Sequence, residues 1–180
     1  MINFNVATIN SCTEIEGPYK RLAIWFQGCN LHCKGCCNPD YQPLVISHLM
    51  SLEDLIKVIQ DAKEQYGIEG VTYLGGEPTL QHNLPLLTHA IHELGLGVIA
   101  FTGRQYQDVA DRLAGCDIVI DGAFEMDHLD NERKLIGSTN QNILCLSPRY
   151  QHCLNWFEGK EERHLEVNVG TSIYLNGDYV

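Results

Sequence analysis

The stretch Leu22-Ala23-Ile24-Trp25-Phe26-Gln27-Gly28-Cys29-Asn30-Leu31-His32-Cys33-Lys34-Gly35-Cys36 decides how this chain is read. Its first five residues are an unbroken apolar run, long enough for a buried strand and short for a helix. Three cysteines follow, spaced C-x3-C-x2-C, so three thiols leave one short loop where that strand ends. Thiolates are the usual protein ligands of iron–sulfur clusters, and a four-iron cluster normally takes four of them. Three leave one iron without a protein ligand, where a small molecule can bind. That is a site for chemistry rather than for electron storage.

Other readings of the same thiols stay open at this point. Zinc could be held by the three cysteines with His32 as fourth ligand. Cys37 directly follows Cys36, and adjacent side chains diverge, so the two are not expected to ligate one cluster. The remaining cysteines, Cys12, Cys116, Cys145 and Cys153, lack metal-type spacing and read as buried or ordinary free thiols. A disulfide scaffold is not expected, because the chain is long and apolar and opens without a signal peptide. The expected compartment is the reducing cytoplasm.

Composition bounds the rest. A chain of 180 residues with 44% hydrophobic residues can bury a real core. The longest apolar stretches fall far below the roughly 18 residues that span a membrane, so no membrane association is expected. The formal charge of −11 opposes general affinity for nucleic acid, which needs clustered Lys and Arg.

Short apolar runs alternate with helical patterns along the chain. Ser51 and Asp54 form a capping box, and Leu52, Leu55, Ile56, Ile59 and Ala62 follow at helical spacing. Gly67 and Gly70 close that helix, and Val71–Leu74 reads as the next strand. A helix near 84–94 leads to a strand at Gly97–Phe101. A second, near 106–114, leads to a strand at Asp117–Ile120, and 143–146 reads as a fifth strand. This alternation implies a parallel sheet with helices packed on it.

Glycine-rich and polar signals recur where the strands end: Cys29, then Gly75-Gly76-Glu77-Pro78, Thr102-Gly103 and Asp121-Gly122. In α/β sheets and barrels, ligands bind at the carboxyl ends of strands. Gly75 and Gly76 let backbone approach a ligand, and Glu77 offers a carboxylate to an ammonium group. Each segment alone also reads as a strand-end turn. Gly137-Ser138-Thr139-Asn140-Gln141 reads either as a cap or turn, or as hydrogen-bonding groups for a polar ligand. His89 and His92 lie one helical turn apart and read as solvated surface residues.

Together these segments resemble the radical S-adenosylmethionine superfamily, and more narrowly its anaerobic ribonucleoside-triphosphate reductase activating proteins. The resemblance rests on Gly17-Pro18, Phe26-Gln27-Gly28-Cys29, Cys33-Lys34-Gly35-Cys36-Cys37-Asn38, Gly75-Gly76-Glu77-Pro78, Thr102-Gly103, Asp121-Gly122-Ala123-Phe124 and 137–141. It runs from about residue 14 to 146. The superfamily often has an aromatic residue where Gly35 stands, and glycine there agrees with the activating proteins. Residues 148–180 lie beyond the resemblance. In them, 164–169 and 172–175 alternate as strands of a β-hairpin.

The resemblance implies an α/β fold: a shortened, open (β/α) partial barrel with a mostly parallel sheet and the hairpin as a C-terminal extension. Residues 1–147 would be the radical S-adenosylmethionine core domain, and 148–180 an extension packed on it. Cys29, Cys33 and Cys36 would hold a [4Fe–4S] cluster. Gly75, Gly76, Glu77, Pro78, Thr102, Gly103, Asp121, Ser138 and Asn140 would line the S-adenosylmethionine site. A flavodoxin-like donor would supply one electron, giving methionine and a 5′-deoxyadenosyl radical. That radical would take a hydrogen from a backbone glycine of the anaerobic ribonucleotide reductase or another glycyl radical enzyme. Two alternatives remain at this stage: a radical enzyme acting on a different peptide or a small molecule, and a non-catalytic iron–sulfur or zinc module.

Overall fold

The computed structural model describes residues 2–159, 165–169 and 173–177. Its strands are β1 (Asn3–Thr13), β2 (Arg21–Phe26), β3 (His48–Ser51), β4 (Gly70–Gly75), β5 (Gly97–Phe101), β6 (Ile118–Asp121), β7 (Asn142–Cys145), β8 (Leu165–Val169) and β9 (Ile173–Gly177). The α-helices are α1 (Leu52–Tyr66), α2 (Leu84–Glu93) and α3 (Tyr106–Val109). None of them is long and apolar enough to cross a membrane.

The fold is mixed α/β, built on one open seven-stranded sheet in the order β3-β1-β2-β4-β5-β6-β7. A mostly parallel sheet is therefore not what forms. The pairings β2–β4, β4–β5 and β5–β6 are parallel, whereas β1–β2, β1–β3 and β6–β7 are antiparallel. The helical crossovers through α1 and α2 return the chain to the same end of the sheet and so give parallel neighbours. Strands β1, β3 and β7 enter by other routes and run the opposite way. Strands β8 and β9 form the expected antiparallel hairpin; the turn between them lies outside the described residues.

Alternation along each strand divides the core between the two faces of the sheet. Leu22, Ile24 and Phe26 join Val71, Tyr73, Val98 and Ala100 on one face, under Leu55 and Ile59 of α1 and Leu84, Leu87 and Ile91 of α2. Ala23, Trp25 and Leu74 point to the other face, where Ile99, Ile118 and Ile120 meet Tyr150, Cys153 and Phe157. Those last three residues belong to a kinked 3-10 segment, Pro148–Phe157.

Helix α1 begins as its sequence dictates. The Ser51 hydroxyl accepts from the Asp54 amide at 3.1 Å and donates to the Asp54 carboxylate at 2.8 Å. It ends at Gly67, whose left-handed backbone lets its amide reach Lys63 O. The helix expected over 106–114 stops at Val109, and turns carry the chain to Gly115. His92 is not a solvated residue either: its Nε2 lies 3.0 Å from buried Asp117 Oδ2.

Candidate cluster site

Strand β2 delivers the cysteines. Beyond Phe26 the chain leaves the sheet, and it is held by amide bonds from Gly28 to Tyr41 O at 2.8 Å and from Cys29 to Gln42 O at 2.9 Å. His32 and Gly35 both adopt positive φ, at 54° and 73°, so the loop turns twice between its first and last cysteine. Cys29 is buried, while Cys33 and Cys36 are partly exposed. Burial pushes the Cys29 thiol up in pKa, and amide N–H groups of Leu31 and His32 directed at its sulfur pull the other way. The Asn38 amide donates to Cys36 Sγ at 3.4 Å.

The end of β4 lies directly against this loop. The Gly76 amide donates to Phe26 O and the Glu77 amide to Gly28 O, both at 2.8 Å. A β-carbon at Gly76 would stand 2.2 Å from Gly28 O and 2.6 Å from Tyr41 O. Only glycine allows that approach, and what it approaches is the chain's own backbone. Pro78 then opens a short 3-10 turn, Pro78–Leu80.

Glu77 is 1% exposed, yet it is well provided with donors. Its Oε1 accepts from the Thr79 amide at 3.1 Å, the Thr79 hydroxyl at 2.6 Å and the Thr102 hydroxyl at 2.8 Å. Its Oε2 accepts from the Gly103 amide at 2.9 Å. The carboxylate thus ties the end of β4 to the end of β5. Nothing in the sequence marks Thr79, two residues after the glutamate, as its donor. Oε2 carries one donor and keeps acceptor capacity, since a carboxylate offers about four lone-pair positions.

The next two strand ends close around the same loop. A β-carbon at Gly103 would lie 2.5 Å from Leu31 Cδ1, and Arg104 donates to Asn30 Oδ1 at 2.7 Å. A β-carbon at Gly35 would lie 2.9 Å from Met126 Sδ and 3.5 Å from the Phe124 ring. Asp121 spends both oxygens inside the protein, on the Tyr106 amide at 2.8 Å and the Asn142 amide group at 2.9 Å. Asn140 Nδ2 donates to Ala123 O at 2.8 Å and Gln141 Nε2 to Gly122 O at 2.9 Å. Gln141 Oε1 also accepts from the Gly137 and Ser138 amides. The Asp-Gly-x-Phe and Gly-Ser-x-Asn-Gln segments are therefore one unit. Buried Ser138 belongs to it through the Glu125 amide, and among the described residues buried Asn140 Oδ1 finds no hydrogen-bond partner.

The donor set fits a four-iron cluster. Among the described residues, no three His, Cys, Asp or Glu side chains gather around one position as ligands of a single metal ion. A cubane is bound at its corners, so its thiolates need not converge on one point. Three soft ligands on one folded loop, with amides aimed at sulfur, meet that need.

Comparison with known proteins decides the family. Residues 15–144 match the model of the 4Fe-4S single cluster domain family. The chain belongs to this family. It is the radical S-adenosylmethionine type of iron–sulfur domain, and its cofactors are a [4Fe–4S] cluster and S-adenosylmethionine. The chain is 28% identical to a pyruvate formate-lyase-activating enzyme of Clostridium pasteurianum over 73% of this chain and 56% of that protein. It is 24% identical to the anaerobic ribonucleoside-triphosphate reductase-activating protein of Enterobacteria phage T4, over 77% of this chain and 92% of that protein. The chain thus spans just over half the length of the first of these relatives and nearly all of the second. Among solved structures, QueE from Escherichia coli superposes with a TM-score of 0.48 at 21% identity, covering 56% of this chain and 52% of QueE.

Proposed function

We propose that this domain is a glycyl-radical-activating enzyme, and that its substrate is the anaerobic ribonucleotide reductase. Cys29, Cys33 and Cys36 would hold the cluster. When bound and reduced, the cluster supplies the electron that splits the S-adenosylmethionine sulfonium into methionine and a 5′-deoxyadenosyl radical. That radical would take a hydrogen atom from a backbone glycine of the partner, giving 5′-deoxyadenosine and a glycyl radical. One electron enters per glycine oxidised, from a flavodoxin-like donor. We place the reaction in the cytoplasm, and take 1–147 as the core with 148–180 as an extension packed on it.

The observation that carries this reading is the pair of hydrogen bonds from Gly76 and Glu77 to the start of the cysteine loop. They hold the Gly75–Pro78 turn against the start of the cysteine loop, and one small molecule would touch both. Glu77 Oε2 would accept from the methionine ammonium, and the backbone of Gly75 and Gly76 would line the same end. Thr102 and Gly103 hold that carboxylate in position. Pro78, Asp121 and Ser138 brace the surrounding turns, and Asn140 Oδ1 offers an acceptor to a polar group of the cofactor. The sheet would bend around the site as a partial barrel, whose missing wall admits a protein loop. The 24% identity to the phage reductase-activating protein over 92% of its length supports the choice of partner.

The test is direct. Anaerobically reconstituted protein, mixed with reductant, S-adenosylmethionine and the cognate reductase, should give a glycine-centred doublet in the electron paramagnetic resonance spectrum. Formation of 5′-deoxyadenosine without that doublet would move the substrate to another peptide or a small molecule.

A further inference from the structure

Beside the cysteine loop stand three consecutive apolar side chains, each more than half exposed. Leu44 is 70% exposed, Val45 56% and Ile46 73%. Apolar residues scattered singly over a surface are ordinary, but a contiguous exposed patch marks an interaction site. This patch is also built rather than loose. Gln27 Nε2 donates to Pro43 O at 2.9 Å, Asn5 Nδ2 to Val45 O at 2.8 Å, and the Ser47 amide to Asn5 Oδ1 at 2.9 Å. Polar side chains from β1 and the end of β2 thus clamp the backbone on both sides of the three residues, holding them outward.

The position of this ridge indicates what it meets. Leu44 Cδ2 is 3.3 Å from where a β-carbon of Gly28 would stand, one residue before Cys29. Across the loop, Met126 packs at Gly35 and is itself half exposed. The cysteine loop is therefore flanked on both sides by exposed apolar groups, a span suited to a macromolecule rather than to a small substrate. Charge points the same way. The chain carries −11 overall, yet Gly28–Ser47 contains one Lys and one Asp and is formally neutral. Few charges would have to be desolvated if this segment were covered, as the core of a protein interface requires.

We infer that Leu44, Val45 and Ile46 form the docking ridge for the protein substrate, against an apolar surface flanking the segment that enters the site. The inference rests on the reading of the site as one that acts on a protein. Burying the ridge would also remove water from the mouth beside Cys29, as a reactive radical requires. The clamped backbone means little ordering is needed on contact.

The test titrates the cognate anaerobic reductase against the parent protein and against Leu44→Ser/Ile46→Ser, following the glycyl doublet. The double variant should raise KM for the reductase about tenfold, the scale expected for losing two apolar anchors. Iron content and partner-free cleavage of S-adenosylmethionine should stay at parent values. Leu86→Ser, removing an exposed leucine from α2, should leave KM unchanged, and Leu44→Met/Ile46→Leu should restore it. Equal KM for parent and double variant overturns the ridge while leaving the activating function intact. A parent protein that cleaves S-adenosylmethionine but gives no glycyl doublet overturns the function, and the assigned partner falls with it.

Discussion

At Glu77 one carboxylate joins the ends of β4 and β5 and stands next to the cysteine loop. Two demands meet there, and substitutions separate them. Glu77→Ala removes the partner of the Thr79, Thr102 and Gly103 donors. A buried donor left unmatched costs about 1–3 kcal/mol, so this variant should lose about 3 kcal/mol of stability by denaturant titration and bind S-adenosylmethionine weakly. Glu77→Gln keeps an acceptor for the threonines and should recover most of the stability, yet it lacks the charge for an ammonium. Calorimetric binding of S-adenosylmethionine equal to the parent's in Glu77→Gln would show that Glu77 serves the fold alone. The cysteines divide as cleanly. Alanine at Cys29, Cys33 or Cys36 should abolish iron incorporation, measured by iron and sulfide content, while Cys116→Ala should retain it. Burial pushes the Cys116 thiol up to about 12. It should therefore resist alkylation by iodoacetamide at pH 8 in the native protein.

At the scale of elements, sequence patterns were readable where burial is two-sided or the cap is local. Arg21–Phe26 is buried at every position and Ile118–Asp121 likewise, so Leu22–Phe26 and Ile118–Ile120 appear as apolar runs. The Ser51 cap and Gly67 stop bound α1 for reasons contained in a few residues. Strand β1 is not legible locally, because most of it is half buried and rich in asparagine, threonine and serine, residues that do not announce a strand. Only pairing with β2 and β3 makes it one, and that pairing is nonlocal. The same holds within the site. The cysteine spacing is local and legible, but the Glu77–Thr102 and Gln141–Gly122 bonds join segments 25 and 19 residues apart. Gly76 was legible as special and its reason was not. Its β-carbon would strike the Gly28 and Tyr41 carbonyls, so Gly76→Ala should displace the cysteine loop and lower cluster content severalfold. Gly67→Ala makes a contrast, because nothing lies within 4 Å of that position. It should cost only about 1 kcal/mol for its left-handed backbone, with iron content unchanged.

Across the whole molecule, the two ends of the parallel strands have different tasks. The cysteines and their neighbours occupy the carboxyl ends. At the opposite end Arg21 is fully buried, and burial pulls its guanidinium pKa down. Its donors reach Thr72 at 2.6 Å, Val71 O at 2.7 Å and the Tyr150 hydroxyl at 2.9 Å. Tyr150 comes from the segment after Pro148, and Cys153 and Phe157 of that segment cover Ile99, Ile118 and Ile120. The start of the extension therefore completes the core on the face where Arg21 meets Thr72 and Tyr150, at a distance in sequence from any cysteine ligand. A chain ended at Ser147 would uncover that face. Removing one buried Phe side chain costs about 3–5 kcal/mol, and Tyr150 and Cys153 would go with it, so this truncation should fail to fold cooperatively. A chain ended at Gly159 keeps Pro148–Phe157 and should retain the cooperative thermal transition, the cluster and cleavage of S-adenosylmethionine. Loss of cluster binding in the longer truncation, with its thermal transition intact, would assign β8 and β9 a part in the site. Folding of the shorter one with full activity would show that Tyr150 and Phe157 are dispensable to the core.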